Sequence, residues 1–249
     1  MNDLDIFIEF LNHPLGTGNP VLQRFSQLSG AVRKGTGLEQ FVYMPGKRKD
    51  RVLLVAHADT FWDEDWDSDW HAGTIMEHKI IPEENIIRSG TPNFGIGADD
   101  RAGCAILWLL KDLGHSLLIT NGEEHGQRGS NWLMNHNPEI ANEINKKHQF
   151  AVQFDSENGT DFKCYNVGTD VFRHYIIDKT SFVNADGGHG VTDICFLCHD
   201  ICAVNLSIGY YYKHEPKEEI NIVEWEKVLN LCRKWLNEPD LQRFILKNK

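Results

Sequence analysis

The chain has 249 residues, 41% apolar and 24% charged, enough for one large or two small domains with an ordinary hydrophobic core. Its 36 acidic against 25 basic residues give a formal net charge of −11, which argues against nonspecific nucleic-acid binding through a basic surface. No stretch reaches the roughly 18 apolar residues of a membrane-spanning helix.

The first segment, "MNDLDIFIEFLNHPL", is acidic and periodic. It lacks the basic start and apolar block of a signal peptide, and "DLDIFIEFLNH" predicts a helix. "GNPVLQRFSQLSG" predicts a further short helical stretch ended by glycine. "LEQFVYMPG" and "RVLLVAHAD" read as strands separated by the polar turn "GKRKD". "FWDEDWDSDWHAG" is a loop with five acids in the seven positions from Asp63 to Asp69. It is expected to be a solvated loop, with a rim of acids and the tryptophans Trp62, Trp66 and Trp70 as the alternative. "GTIMEHKIIPEENIIRSG" is a hairpin or irregular.

"DDRAGCAILWLLKDLG" carries Ala102, Ala105, Ile106, Leu109 and Leu113 on one helical face, with Gly114 as its stop. "HSLLITNG" is a strand, and "QRGSNWLMNHNPEIANEINKKH" two short helices broken at Pro138. "QFAVQFD" and "DICAVNLSIG" are buried strands. "INIVEWEKVLNLCRKWLN" closes the chain with a docking helix that presents Trp225, Val228, Leu229, Cys232, Trp235 and Leu236. Strands alternating with helices predict an α/β fold: a mixed, mainly parallel central sheet with helices on both faces, in a single domain spanning 1–249. The six cysteines lack the spacing of a disulfide scaffold. They are expected to be reduced and mostly buried, in a cytoplasmic protein. "CFLCHDIC", with Cys195, Cys198 and Cys202, has no second pair of zinc ligands at suitable spacing.

A pattern recurs at the strand ends. "VLLVA" runs into His57 and Asp59, "LLITNG" into Glu123 and Glu124, and "FAVQF" into Asp155. "AVNLSIG" is followed by three tyrosines and His214, and Asp99 and Asp100 precede the long helix. In open α/β sheets ligands bind beyond the carboxyl ends of the strands, so these groups are expected at one sheet edge. Asp99, Glu124 and Asp155, with neutral His57 and His214, offer three negative charges. One hydroxide then balances two divalent ions, an inventory suited to two zinc ions sharing a bridging carboxylate. Asp59 is placed to fix the His57 tautomer. Glu123, left free beside its neighbour, is the expected general base.

Simpler readings stand beside these. His57 alone suits a hydrogen-bonded core histidine, and Asp99 or Asp100 a helix cap. Glu157 competes with Asp155, and His125, His174, His189 and His199 compete with His214. Asp193 is expected to shape the site rather than bind metal. One of Tyr210, Tyr211 and Tyr212 is a candidate donor to an oxyanion.

The motifs "AHADT", "GADDRAG", "GEEHGQRGS", "FDSENG", "VTDICF" and "YYYKHEPKEEI" together resemble those of the co-catalytic di-zinc exopeptidases. "ADDRAG" and "EEHGQRG" are most similar to the glutamyl and deblocking aminopeptidase branch. The resemblance implies that His57, Asp99 and Asp155 hold one metal, that Asp99, Glu124 and His214 hold the other, and that Glu123 is the base acting on a metal-bridging hydroxide. It also implies a cis peptide after Asp99. The metal would be zinc, with cobalt or manganese as alternatives, and the substrate a short peptide or N-terminal amino-acid amide. The chain departs from that branch. Only 41 residues separate His57 from Asp99, and 58 separate Asp155 from His214, too few for the inserted domain or lid of larger relatives. A lidless catalytic domain is therefore expected, with no insertions to build cage-like assemblies and the oligomeric state open. Alternatives are a carboxypeptidase or N-acyl amino-acid amidohydrolase, with Arg101, Arg128 and Arg173 as candidate carboxylate grips, and a single-zinc acyltransferase of the glutaminyl-cyclase type.

Overall fold

A computed structural model describes residues 2–63, 78–187 and 190–246. Most of the acidic stretch up to Asp69, with Trp66 and Trp70, lies outside the described residues, as does His189.

The chain opens with α1 (Asp3–Leu11) and α2 (Asn19–Ser26). A reciprocal capping box starts α1: Asp5 N donates to Asn2 Oδ1 at 2.7 Å, and Asn2 N to Asp5 Oδ2 at 2.9 Å. Strands β1 (Val32–Thr36), β2 (Glu39–Met44) and β3 (Leu53–His57) follow, then the hairpin β4 (Ile80–Glu83) and β5 (Ile86–Ser89). Next come α3 (Ala98–Leu110), a 3-10 turn at Lys111–Leu113, β6 (Ser116–Thr120), α4 (Arg128–His136) and α5 (Pro138–Lys147). Gly114, at φ 82°, ends the α3 segment as its position predicts. The remainder comprises β7 (Ala151–Ser156), β8 (Asp161–Lys163), α6 (Asp170–Thr180), β9 (Val183–Asn184), α7 (Asp193–Leu197), β10 (Ala203–Ser207), β11 (Tyr210–Tyr211), β12 (Glu219–Asn221) and α8 (Ile222–Leu236).

Eight strands form the main sheet in the order β1-β2-β6-β3-β7-β10-β8-β9. The four in the middle run parallel, while β1, β2 and β8 pair antiparallel toward the edges. Alternate residues of the central strands enter different apolar clusters, as the two-residue period of a strand requires. Leu54, Ala56, Leu117 and Ile119 join Phe7, Phe10, Ala105, Ile106 and Trp225. Leu53, Val55 and Leu118 join Phe41, Leu133, Ile144 and Ile194. One face is thus covered by α1, α2, α3 and α8, the other by α4, α5 and α7, as the continuous apolar runs predict. No described helix is long and apolar enough to cross a membrane.

Sequence reasoning did not reach β1, β8, β9, α6, α7 or a second sheet. Of the two readings left open for the segment after the acidic loop, the structure has the hairpin, β4–β5, and it pairs with β12 and β11 in a four-stranded antiparallel sheet. That sheet carries the loop between β11 and β12, which includes His214.

Candidate metal centre

The register of the parallel strands assembles one edge. His57 pairs with Thr120 at the ends of β3 and β6, and Val55 pairs with Gln153, which sets Asp155 level with His57. The His57 ring is buried. Its Nδ1 lies 3.0 Å from the Asp59 carbonyl oxygen and 3.4 Å from Asp59 Oδ1. Asp59 therefore faces His57 as expected, with its main chain closer than its carboxylate. Asp59 Oδ2 accepts from Glu124 N at 3.1 Å, tying the end of β3 to the loop after β6.

On its other side, His57 Nε2 stands 3.1 Å from Asp99 Oδ1 and 3.4 Å from Asp155 Oδ1. His214 Nε2 lies 3.3 Å from Asp99 Oδ2 and 2.8 Å from Glu124 Oε1. The two oxygens of Asp99 are thus divided between two imidazoles. The Asp99–Asp100 peptide is cis. Capping falls to the neighbour: Asp100 Oδ1 accepts from Gly103 N at 3.0 Å, and Asp100 Oδ2 from His57 N at 3.1 Å. A Cβ on Gly103 would fall 2.2 Å from Asp100 Oδ1 and 2.3 Å from the Phe154 carbonyl oxygen, so the close approach of α3 to β7 needs glycine here.

Asp155 is oriented on three sides. Its Oδ2 accepts from Gln153 Nε2 at 3.0 Å and Thr192 Oγ1 at 2.9 Å, and the Asn205 side-chain amide brackets its backbone N–H and C=O. Glu123 is buried, and its Oε1 accepts from Gln127 Nε2 at 3.1 Å. The Phe61 ring stacks on His214 at 4.4 Å between centroids.

His57, Asp59, Asp99, Glu123, Glu124, Asp155 and His214 meet at this edge, with Asp100 beneath them. The described rival histidines join neither metal-ligand group. His174 Nδ1 faces the Asp170 carbonyl and His199 Nε2 the Phe196 carbonyl. His125 lies 3.9 Å from Asp59 Oδ2, outside the His57 and His214 groups. Asp193 bonds Thr120 Oγ1 beneath the site. Cys195, Cys198 and Cys202 are free thiols and join no ligand cluster among the described residues. Of the tyrosines, Tyr210 is buried near enough to Asp99, Asp155 and Glu124 for burial and their charges to raise its hydroxyl well above the ordinary range, Tyr211 bonds Glu224, and the exposed Tyr212 lies under the Lys217 ammonium.

Three contributors escaped sequence reasoning. Glu218, fully buried, accepts from Ile96 N and Gly97 N at 2.9 Å and from Asp99 N at 3.1 Å. A Cβ at Gly95 would fall 2.3 Å from Glu218 Oε2, so this approach also depends on glycine. Gln127 holds Glu123, and Tyr165 lines the cavity in front of the cluster. Gln127 and Glu218 lie inside motifs that the sequence displays; Tyr165 has no such signal.

The electrostatics call for cations. Burial and the nearby charges of Asp155, Asp193 and Glu124 push Glu123 well above the usual carboxylate range. Burial and the charge of Asp99 bring Glu124 up to about 7. Burial would raise Asp99 as well, but hydrogen bonds from His214 and His57 outweigh it and hold Asp99 far down. Burial opposes charge on the histidines, yet Asp155, Asp59 and Asp99 raise His57 well above its ordinary value, and Asp99 and Glu124 raise His214 to about 10.

The donor atoms also fit metal ions. The ligand atoms of His57, Asp99 and Asp155 lie within 4.8 Å of one another, as do those of Asp99, Glu124 and His214. Metal–ligand bonds near 2.1 Å place neighbouring ligands roughly 3–4 Å apart, the range of the contacts at Asp99. His57, Glu123 and Glu124 form a third such group.

No protein-family model and no curated protein matches the chain. Solved structures do. Aminopeptidase PepT from Bacillus cereus superposes with a TM-score of 0.60 at 14% identity, over 94% of this chain and 97% of that one. A TET aminopeptidase from a marine-sediment Thaumarchaeota archaeon gives 0.64 at 12% identity, over 96% and 98%. An endoglucanase from Thermotoga maritima gives 0.56 at 12% identity, over 93% and 98%. These likenesses establish the mixed α/β fold.

Proposed function

We propose that the chain is a metal-dependent hydrolase of peptide or amide bonds, a di-zinc aminopeptidase acting on short peptides, with residues 1–249 forming one lidless catalytic domain. The observation that carries this reading is the Asp99 carboxylate, divided between His57 and His214. Asp155 completes a three-residue group on the His57 side and Glu124 one on the His214 side. His57, Asp99 and Asp155 would hold one ion, and Asp99, Glu124 and His214 the other. Zinc suits this mixture of imidazole and carboxylate, with cobalt or manganese as alternatives. Bound there, the pair would polarise the scissile carbonyl and bring the pKa of a water toward ~7.

The protein's own groups supply the rest. Glu123, steadied by Gln127, takes the proton from the attacking water and returns it to the leaving amine. Burial and the neighbouring carboxylates raise its pKa, which favours holding the proton it takes from water until the leaving amine accepts it. Asp59 holds the His57 ring so that Nε2 faces Asp99 and Asp155. The peptide substrate class is supported by the neighbours named as aminopeptidases. The free cysteines suit a cytoplasmic setting.

The test is a comparison of wild type with Glu123→Gln, both zinc-loaded, on aminoacyl nitroanilides and N-acylated amino acids. Hydrolysis of the nitroanilides, with a loss of about 10²-fold or more in kcat and full zinc content in the variant, supports the reading. Full activity in Glu123→Gln overturns the choice of base, and a preference for the N-acylated substrates overturns the aminopeptidase assignment.

A further inference from the structure

None of the three consecutive tyrosines after β10 lines the cavity of about 600 Å³ that opens in front of the cluster. Tyr165 does, from the loop after β8, together with Glu123, Asp155 and His214.

The loop is built to hold Tyr165 there. Its backbone is left-handed, at φ 50°, a conformation that a bulky side chain seldom adopts and that persists where surrounding contacts impose it. Asp186 Oδ1 accepts from Cys164 N at 2.7 Å and from Tyr165 N at 2.8 Å, and Asp186 Oδ2 accepts from Arg173 Nε at 2.7 Å. Arg173 donates in turn through Nη2 to the Tyr165 carbonyl at 3.1 Å and through Nη1 to the Gly168 carbonyl at 2.9 Å. The Asp186–Arg173 pair thus clamps the N–H and the C=O of Tyr165, and Arg173 is spent on it rather than on a substrate carboxylate. The ring packs against the apolar cluster that includes Val167, Ile194 and Cys198.

The hydrogen bonds fix what the phenol can do. Asn205 Oδ1 accepts from Asp155 N at 2.9 Å, which determines how the amide faces. Its Nδ2 then donates one hydrogen to the Asp155 carbonyl at 2.8 Å and the other to the Tyr165 hydroxyl at 3.3 Å. The phenol oxygen is an acceptor in that contact, and its own hydrogen has no acceptor among the described residues. Burial above all, and then the charge of Asp155, raise the hydroxyl above the ordinary tyrosine range, so the hydrogen is retained near neutral pH. Gln127 and Thr192 line the cavity as well, but they spend their donors on Glu123 and Asp155. A single amide therefore links the free donor of Tyr165 to the strand end that carries Asp155.

We infer that Tyr165 is a further catalytic residue whose hydroxyl donates a hydrogen bond to a carbonyl oxygen of the bound peptide, and that the Asp186–Arg173 pair positions it. This rests on the peptidase reading of the same site. The oxygen has two sources. On the scissile carbonyl the bond strengthens as negative charge develops, which acts on kcat. On a neighbouring peptide carbonyl it is equal in the ground and transition states, which acts on KM.

The experiment compares zinc-loaded wild type with zinc-loaded Tyr165→Phe on alanyl-4-nitroanilide, whose one carbonyl is the scissile one, and on Ala-Ala-Ala, which has a further peptide carbonyl. With zinc content intact by elemental analysis, kcat/KM on Ala-Ala-Ala is expected to fall by about tenfold or more. A fall in kcat on both substrates assigns the scissile carbonyl; a rise in KM on the tripeptide alone assigns its neighbour. Unchanged kcat/KM on both overturns the inference. Arg173→Met should lower kcat/KM in the same sense and add little to Tyr165→Phe in the double variant, whereas losses that multiply remove the clamp's positioning role. Asp186→Asn enters the same cycle if Arg173→Met does not fold. Inactivity of wild type on both substrates would instead strike the peptidase reading. Calorimetric titration with alanine hydroxamate, which brings a carbonyl oxygen to the site without being cut, then decides Tyr165 separately. Binding weakened by about threefold or more in Tyr165→Phe upholds the donor, and equal binding in both, or none to wild type, removes it.

Discussion

Glu218 Oε1 accepts a hydrogen bond from the backbone N–H of Asp99 at 3.1 Å, while its Oε2 accepts from Ile96 N and Gly97 N. Glu218 follows His214 by four positions, so one buried carboxylate ties the turn bearing Asp99 to the loop bearing His214. Glu218→Ala leaves three buried N–H groups without acceptors, each costing about 1–3 kcal/mol. A lower melting temperature and a weaker zinc affinity, by about 10- to 100-fold, are expected from thermal unfolding and competitive chelator titration. Glu218→Gln keeps one acceptor oxygen and should fall between alanine and wild type. Wild-type zinc affinity in Glu218→Ala would remove the positioning role.

Asp59 acts on His57 from behind, through its carbonyl at 3.0 Å and its carboxylate at 3.4 Å. Because the carbonyl survives substitution, Asp59→Ala should weaken zinc binding by about tenfold, the low end for loss of such a support. Equilibrium dialysis against zinc measures this. A larger collapse would mean that the carboxylate alone sets the imidazole.

The strand-end pattern made much of this site legible. His57, Asp155 and Glu123–Glu124 each follow a short apolar run that suits a buried strand, and the recurrence of such groups after the runs points to one sheet edge. The central strands were readable for the same reason. Where short strands hold exposed or charged residues the signal fails. β1 reads "VRKGT" and β12 "EIN", and the pairing of β12 with β5 joins residues far apart in sequence. α6 places Val171 and Ile177 in solvent, which blurs its apolar face. Glu218 was hidden because its partners are backbone N–H groups, which carry no sequence signature.

The pKa directions give a pH dependence for chelator-treated protein. His214 is raised from 6.5 to about 10 and Glu124 from 4.5 to about 7, with Asp193 raised to about 6 by burial. A folded-state pKa above the unfolded one stabilises below the unfolded value and is lost as pH rises through the folded value. Below about pH 6.5, His13, His115 and His148, held down to about 4 by burial, act in the opposite sense, so the raised groups govern only the upper part of the range. The metal-free melting temperature should therefore fall as pH rises from about 7 to 10, the window set by Glu124 and His214. Zinc should reverse the trend, because ligand deprotonation then favours binding. A metal-free melting temperature that rises over the same window would contradict the assigned contacts.

Gly103 sets how near α3 approaches β7 beneath the cluster. Gly103→Ala forces a Cβ against Asp100 Oδ1 and the Phe154 carbonyl, an overpacking that costs about 1–3 kcal/mol. Urea unfolding should show this as a lower midpoint with an unchanged slope. An unaltered midpoint would mean that the backbone yields at no cost.

The reading as a whole turns on Asp99 serving two ions at once. Anomalous scattering at the zinc edge, from crystals of the zinc-loaded protein, tests this directly. Two peaks are expected, one among His57, Asp99 and Asp155 and the other among Asp99, Glu124 and His214. A single peak, or zinc bound away from Asp99, would contradict it.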